Sequence, residues 1–331
     1  MKIKETIGID ISKLKFDARI HSSQKFNVFE NSSKGFKMLV KWVSKNSTYK
    51  KSETLFVFEH TGLYSNQLSL FLAKLELKFV LVPGLAIKRS LGITRGKDDK
   101  IDAQKIALYG FRLRDEITPT KLPIPAIMQL KNFLTLRERL VKHRAGFKAS
   151  LKEQKKILIK KENELILKVQ KKMIKYLTKQ IVEIEAKMKG IIKNEVDLHN
   201  LFKLITSIKG IGPQTAYFLI AYSDGFTKFK NYRKFASYCG IAPFPNSSGT
   251  SIRGRNKVSN LANKKIKSLL DLCAKTAIQH SPEMKIYYTR RIDKGHNKMS
   301  TINIIRNKLL ARVFAVVKRN SPYIDTMKFA A

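Results

Sequence analysis

Apolar and polar residues alternate through three short runs at the start of the chain, Ile3–Ser12, Leu14–His21 and Lys25–Glu30. Polar breaks at Ser12-Lys13 and Ser22-Ser23 separate them. A period of two is that of a strand with one buried face, so the pattern predicts an antiparallel meander. Apolar residues at 36, 39, 40 and 43 then change the period to that of a helix over Gly35–Ser44. Leu55–Phe58 is unbroken apolar sequence, as expected of a strand covered on both faces. An amphipathic helix is predicted over Leu63–Leu77 and a second buried strand over Phe79–Val82, ended by Pro83-Gly84. Beyond them a helical stretch carries Asp99 and Asp102 through Ile106-Ala107-Leu108.

Pro119, Pro123 and Pro125, with polar residues between them, make residues 112–125 a linker. From Ala126 to Leu201 the chain is nearly free of Gly and Pro. Val169, Met173, Leu177, Ile181, Ile184, Met188 and Ile191 recur there at steps of three and four. Long helices follow, with a coiled-coil seam near their end. The seam serves either an intramolecular helical hairpin or a dimerisation arm. A third part begins near Leu204. The expected division is 1–118, 126–201 and 202–325.

The chain has 331 residues, 43% of them hydrophobic, which excludes a disordered basic tail. Lys and Arg number 66 against 25 Asp and Glu, for a formal net charge of +41. Such a surface calls for a polyanion partner, most commonly nucleic acid. Lys far outnumbers Arg, and Ile and Asn are abundant, a bias typical of AT-rich coding sequence; the sign of the charge therefore says more than its size. Cys239 and Cys273 lie in apolar surroundings without metal-ligand spacing and read as reduced core thiols. No run reaches the ~18 apolar residues of a membrane span, and Lys2, Lys4 and Glu5 interrupt the start of the chain. A cytoplasmic, nucleoid-associated protein is expected.

Against this excess of cations, four acids form a pattern. Asp10 sits in Ile7-Gly8-Ile9-Asp10-Ile11, and Glu59 ends Leu55-Phe56-Val57-Phe58-Glu59. A lone carboxylate at such a strand end is costly without a cation. Asp99 and Asp102 are one helical turn apart and share a face. Gathered acids in a cationic chain point to Mg²⁺ or Mn²⁺ held against a phosphodiester. The element order βββαβαβα resembles that of the ribonuclease H fold, in which the first and fourth strands are neighbours; this would bring Asp10 and Glu59 together.

Two motifs in the third part bear on nucleic acid. Ile208-Lys209-Gly210-Ile211-Gly212-Pro213 resembles a helix-hairpin-helix turn, where glycines admit a phosphate to free N–H groups. The same residues also suit an ordinary corner between helices. Gly240-Ile241-Ala242-Pro243 precedes Asn246-Ser247-Ser248-Gly249, and Arg253, Arg255 and Lys257 follow. Gly, Pro, Ser and Asn predict a shaped loop. A serine beside glycine with three cations nearby has what a phosphate-attacking hydroxyl needs, although a polar hairpin with solvated charges accounts for the same residues.

Taken in order, Gly8-Ile9-Asp10, Phe58-Glu59-His60-Thr61-Gly62, Lys97-Asp98-Asp99-Lys100-Ile101-Asp102-Ala103, Ile208–Pro213, Gly240–Pro243 and Ser248-Gly249 resemble a family. It is that of the DEDD transposases of bridge-RNA-guided insertion sequences, the 110 and 1111 groups, with the Piv-like DNA invertases. The resemblance spans roughly residues 5 to 320. It implies an α/β RuvC-like domain, a helical coiled-coil segment and a mainly helical transposase domain. It further implies Asp10, Glu59, Asp99 and Asp102 as metal-holding acids and Ser248 as nucleophile, with Ser247 its neighbour. Asp98 stands where the family usually has Thr or Ser, leaving three acids in one segment; helical spacing selects Asp99. Lys209, Gly210, Gly212, Arg253, Arg255 and Lys257 are the expected nucleic-acid contacts. The implied partners are donor and target DNA, a structured guide RNA and further copies of the chain, as a dimer or tetramer whose sites are completed between protomers. The rival readings are a RuvC-like junction-resolving nuclease in which water attacks, and a scaffold that binds nucleic acid without cutting it.

Overall fold

The computed structural model describes residues 2–90, 92, 99–159, 162–248 and 252–325, without the side chains of Asp99, Ile252 and Arg253. The chain divides into two compact units, Met1–Leu122 and Pro123–Ala331.

The first unit runs β1 (Glu5–Ile11), β2 (Lys15–Ile20), β3 (Phe26–Glu30), α1 (Ser33–Asn46), β4 (Thr54–Glu59), α2 (Leu63–Lys74), β5 (Phe79–Val82), α3 (Gly84–Ser90) and α4 (Asp99–Arg112). Its sheet has the order β3-β2-β1-β4-β5. The first three strands form an antiparallel meander, and β4 and β5 continue parallel to β1. The two faces bury different residues. Ile7, Ile9, Ile11, Phe16, Phe56 and Phe58 pack with Phe36 and Leu39 of α1 and Leu68 and Leu72 of α2. Each fully buried phenylalanine there contributes about 2 kcal/mol by leaving water. The opposite face joins Leu55, Val57, Val80 and Val82 to Ile87 of α3 and Ile106 of α4. This mixed α/β unit is consistent with a RuvC-like DEDD domain. The predicted strands lie within a few residues of those observed. The short helix α3 was not separated in the reading of the sequence.

On the second face β1 presents Thr6, Gly8 and Asp10, an unusually small surface for a central strand. The reason is the closeness of α4. A Cβ added at Gly8 would overlap the Ala103 carbonyl and the Ala107 amide, and the Thr6 hydroxyl donates to the Ala107 carbonyl at 2.9 Å. Replacing Gly8 with Ala is expected to cost at least the roughly 1–3 kcal/mol of ordinary overpacking, because backbone atoms have no rotamer by which to move aside. Urea denaturation checks this; an unchanged midpoint would mean that α4 does not lie on Gly8.

The second unit contains α5 (Pro125–Ile157), α6 (Glu164–Asn194), α7 (Val196–Thr206), α8 (Pro213–Tyr222), α9 (Tyr232–Tyr238), β6 (Pro243–Ser248), β7 (Ile252–Val258), α10 (Lys264–His280), α11 (Pro282–Asp293) and α12 (Lys298–Arg319). Helices α5 and α6 pair antiparallel: Arg137 meets Glu185 at 2.7 Å, Arg144 meets Thr178 at 3.4 Å, and Gln170 donates to Gln154. The long helices are thus joined as an intramolecular hairpin. Its buried row on α6 is Leu167, Gln170, Leu177, Ile181, Ile184, Met188 and Ile192. Val169 and Met173, expected in that row, are exposed, and Ile192 is buried where Ile191 was expected; Gln170 is buried in the row with Gln154 as its partner.

The base of the hairpin shares one core with the C-terminal helices, where Ile127, Leu130 and Met188 join Phe218, Phe235, Leu270 and Leu309. The expected parts 126–201 and 202–325 therefore lie in a single unit. Cys239 and Cys273 are buried free thiols, and burial pushes the Cys239 thiol up to about 12. Among the described residues no helix is long and apolar enough to cross a membrane.

Candidate active site

Strand register and helix direction set Asp10, Glu59 and the start of α4 at one end of the sheet. Ile9 pairs with Phe58 across the parallel β1–β4 ladder, so Asp10 and Glu59 are the next positions on neighbouring strands. By alternation both lie on the face carrying Gly8 and Val57, which α4 covers. The helix runs opposite to β1. Gly110 lies against Val57 and near Thr6, while Ala107 and Ala103 lie over Gly8. Advancing two strand residues from Gly8 to Asp10 covers about 6.6 Å, equal to about four helical residues. That arithmetic puts the start of α4, from Asp99 to Ala103, level with Asp10.

Asp10, Glu59 and Asp102 are all half-buried. Lys105 reaches Asp102 Oδ1 at 3.1 Å, so one acid already holds a cation. Glu59 lies against Gly84 at the start of α3, where an added Cβ would overlap its carboxylate. The bare glycine leaves the room that Glu59 occupies. Asp98 and the Asp99 side chain lie outside the described residues.

A further acid escaped the sequence reading. Asp17 of β2 is directly opposite Asp10, is 4% exposed, and meets Lys15 at 3.7 Å. Its signal was the one that marked Asp10, a carboxylate inside an alternating apolar strand. It was passed over because its run continues as ordinary meander.

The donor set is one of hard carboxylate oxygens, which suits Mg²⁺ or Mn²⁺. Among the described residues no three His, Cys, Asp or Glu side chains are grouped so as to hold a metal ion. The carboxylates of Asp10, Glu59 and Asp102 are of the chemical type such an ion takes, and they stand at the same end of the sheet rather than as a closed cluster.

In the second unit the helix-hairpin-helix-like turn joins α7 to α8. Gly210 has φ +95°, and a Cβ there would crowd Ala277 and the Cys273 carbonyl of α10. This glycine thus serves close packing. Gly212 is exposed, with open space around it, immediately before α8. Lys209 is ion-paired to Asp325 at 2.9 Å.

The expected serine loop is instead a two-stranded antiparallel ribbon, β6–β7. Every residue of β6 is exposed. A strand with no buried face leaves no apolar alternation to read. Ser247 pairs with Arg253 and Ser248 with Ile252; residues 249–251 lie outside the described residues. The register slips between Asn246 and Phe244, which sets Lys257 opposite Phe244. The slip turns Lys257 to the side that Phe244 and Ser248 share, about 13 Å along the ribbon from Ser248. Arg255 and Lys257 are exposed.

The Gly240–Pro243 segment anchors the ribbon. Asn303 and Asn307 of α12 donate to the Ile241 carbonyl at 2.9 and 3.0 Å, and Asn263 donates to the Tyr238 hydroxyl at 3.2 Å. These asparagines were not singled out in the sequence.

Comparison with known proteins is specific. Residues 7–156 match the IS110-type DEDD transposase model, and residues 202–289 match the model described as Transposase IS116/IS110/IS902 family; together they cover well over half the chain. The chain is 28% identical to the pilin gene-inverting proteins of Moraxella bovis and Moraxella lacunata, in each case over 97% of this chain and 98% of the relative. It is also 27% identical to an insertion element IS110 protein of Streptomyces coelicolor, over 44% of this chain and 34% of that one. The chain belongs to the IS110 family of transposases and DNA invertases.

Proposed function

We propose that this transposase moves or inverts DNA by metal-dependent strand cleavage at Asp10, Glu59, Asp99 and Asp102, with Ser248 as nucleophile and a structured RNA as guide. The observation that carries the reading is the common level of Asp10, Glu59 and the start of α4 on one face of the sheet. A divalent ion bound there supplies charge neutralisation to the scissile phosphate. Asp10 and Glu59 present oxygens from adjacent strands, and Asp102 does so from the helix above. Lys105 donates to Asp102 Oδ1 and orients it.

Ser248 Oγ forms a bond to phosphorus, the bond from phosphorus to one deoxyribose oxygen breaks, and the serine proton leaves to solvent while the freed oxygen is protonated. The DNA end then stays on the protein until the strands are exchanged. Exposure of the whole of β6 supports access by a DNA strand, and Arg253, Arg255 and Lys257 supply cations along the same ribbon. Lys209, Gly210 and Gly212 offer a second backbone contact, for which Lys209 has to exchange Asp325 for a phosphate. A net charge of +41 supports RNA and DNA partners together. Guide pairing would read sequence while the protein holds backbone and shape. Leu165, Ile166, Val169, Met173 and Tyr176 form an exposed apolar set on α6, which supports association of protomers into a dimer or tetramer.

The test is a covalent one. Protein incubated with nicked donor DNA and Mg²⁺ and then denatured is expected to carry DNA on a peptide containing Ser248, and EDTA is expected to prevent this. Cleavage that needs Mg²⁺ but leaves no adduct would replace the serine reading with attack by water, as in a junction-resolving nuclease.

A further inference from the structure

Between the foot of the ribbon and α10 there is a cavity of about 350 Å³ lined by Ser259, Asn260, Lys264, Lys267, Ser268 and Arg306, with Ala262 and Asp271 also on its wall. Its side chains are those of an anion site. Among the described residues Lys264 and Lys267 have no carboxylate partner, whereas the neighbouring Lys265 is paired to Glu138 at 3.1 Å. The one acid on the wall is already engaged. Asp271 accepts from Lys275 at 2.9 Å and from Arg306, so two cations answer a single carboxylate. Arg306 is 6% exposed, and its Nε has no partner. Burying a guanidinium with a donor unmet is costly. The hydroxyls of Ser259 and Ser268 add donors without charge, and among the described residues lining the cavity none is aromatic.

We propose that this cavity binds one backbone phosphate of the DNA strand that lies along the ribbon. Lys264 and Lys267 supply the charge, and Ser268 supplies a hydrogen bond. The inference rests on the DNA-acting family of the chain and not on the identity of the nucleophile. The cavity follows directly on β7, and Ser248 lies at the far end of β6, about 17 Å away at the rise of a strand. A phosphate held at the foot would therefore be several nucleotides from the bond at the tip. Its capture sets how far the strand is drawn along the ribbon, and so which phosphodiester meets the tip. The site reads backbone and not sequence, which suits an enzyme whose targets are chosen otherwise.

The experiment is equilibrium binding of a short labelled DNA duplex to the full chain, by fluorescence anisotropy over a range of salt. It is done in EDTA, so that cleavage does not enter and failure of the serine mechanism would leave the result unchanged. The Lys264→Gln/Lys267→Gln protein is expected to bind every sequence more weakly, with the slope of log affinity against log salt reduced by about 0.9, the value of one phosphate. A Lys264→Arg/Lys267→Arg protein should keep the wild-type slope. A Lys34→Gln/Lys37→Gln protein, changed equally in charge in the first unit, should change the slope by less. Lys264→Gln alone, at an exposed position, gives the same direction if the double variant melts early. An unchanged slope, an equal fall with the Lys34/Lys37 pair, or a fall seen with an RNA duplex and absent with DNA would each overturn the proposal.

Discussion

Replacing Asp10, Glu59 or Asp102 with Ala is expected to abolish recombination and leave the chain folded. Each change removes an anionic oxygen from the set proposed to hold the metal, and the remaining acids then have less with which to hold it. The cost in stability should be small or of opposite sign. Asp10 faces Asp17 across the β1–β2 ladder, and like charges in directly opposed positions are destabilising by roughly 0.2–1 kcal/mol. Asp10→Ala should stay folded while strand exchange falls below detection. Glu59→Ala empties the space beside Gly84 without adding atoms to it. Asp102→Ala frees Lys105, which is partly exposed and can turn to water. A folded variant that recombines at the wild-type rate with Mg²⁺ would remove that residue from the ligand set. A variant that fails to fold would instead mean that the carboxylate is structural.

The legible and illegible parts of this chain separate by burial. In the first unit every strand has at least one face in a core, so β1, β4 and β5 declared themselves as alternating or continuous apolar runs, and Asp10 and Glu59 stood out against them. That β1 lies beside β4, so that Asp10 and Glu59 follow on neighbouring strands, needed only strand order. A helix beginning near Asp99 could be read from the sequence, but Gly8 and Gly84 as the residues that make room could not, because a glycine's neighbours are distant in sequence. In the second unit the signal weakens where burial does. The β6–β7 ribbon has an exposed strand, so its Pro, Asn and Ser residues looked like a loop. The hairpin row on α6 was followed correctly from Leu177 to Met188, and was lost at Val169 and Met173 because the helix buries Gln170 to meet Gln154. Periodicity alone gives no reason to prefer a glutamine to a valine. Lys209 was legible as a cation in a glycine-rich turn, but its pairing with Asp325 joins residues 116 positions apart.

Ser248→Ala is expected to eliminate the covalent adduct and strand exchange while leaving affinity for DNA, RNA and Mg²⁺ nearly unchanged. A serine hydroxyl is a weak nucleophile with no base beside it in β6, so its proposed chemistry depends on a phosphate made electrophilic elsewhere. The acids are in the first unit and the serine is in the second; the variant therefore removes the attacking atom and leaves the metal ligands intact. Stability should change by less than about 0.5 kcal/mol, since the side chain is exposed and supports no packing. Ser247→Ala is the internal control. Successive residues of a strand face opposite ways, so Ser247 is turned from the side Ser248 shares with Lys257, and its loss should spare most activity. Mixing Ser248→Ala protein with Asp10→Ala protein then asks how the two halves of the site meet. Partial recovery of exchange requires the serine of one chain to act at the acids of another, whereas no recovery requires both within one chain. Wild-type exchange by Ser248→Ala alone would end the serine mechanism. Exchange that survives in Ser248→Ala and disappears in Ser247→Ala would transfer the role to the neighbouring hydroxyl and to the other face of the ribbon.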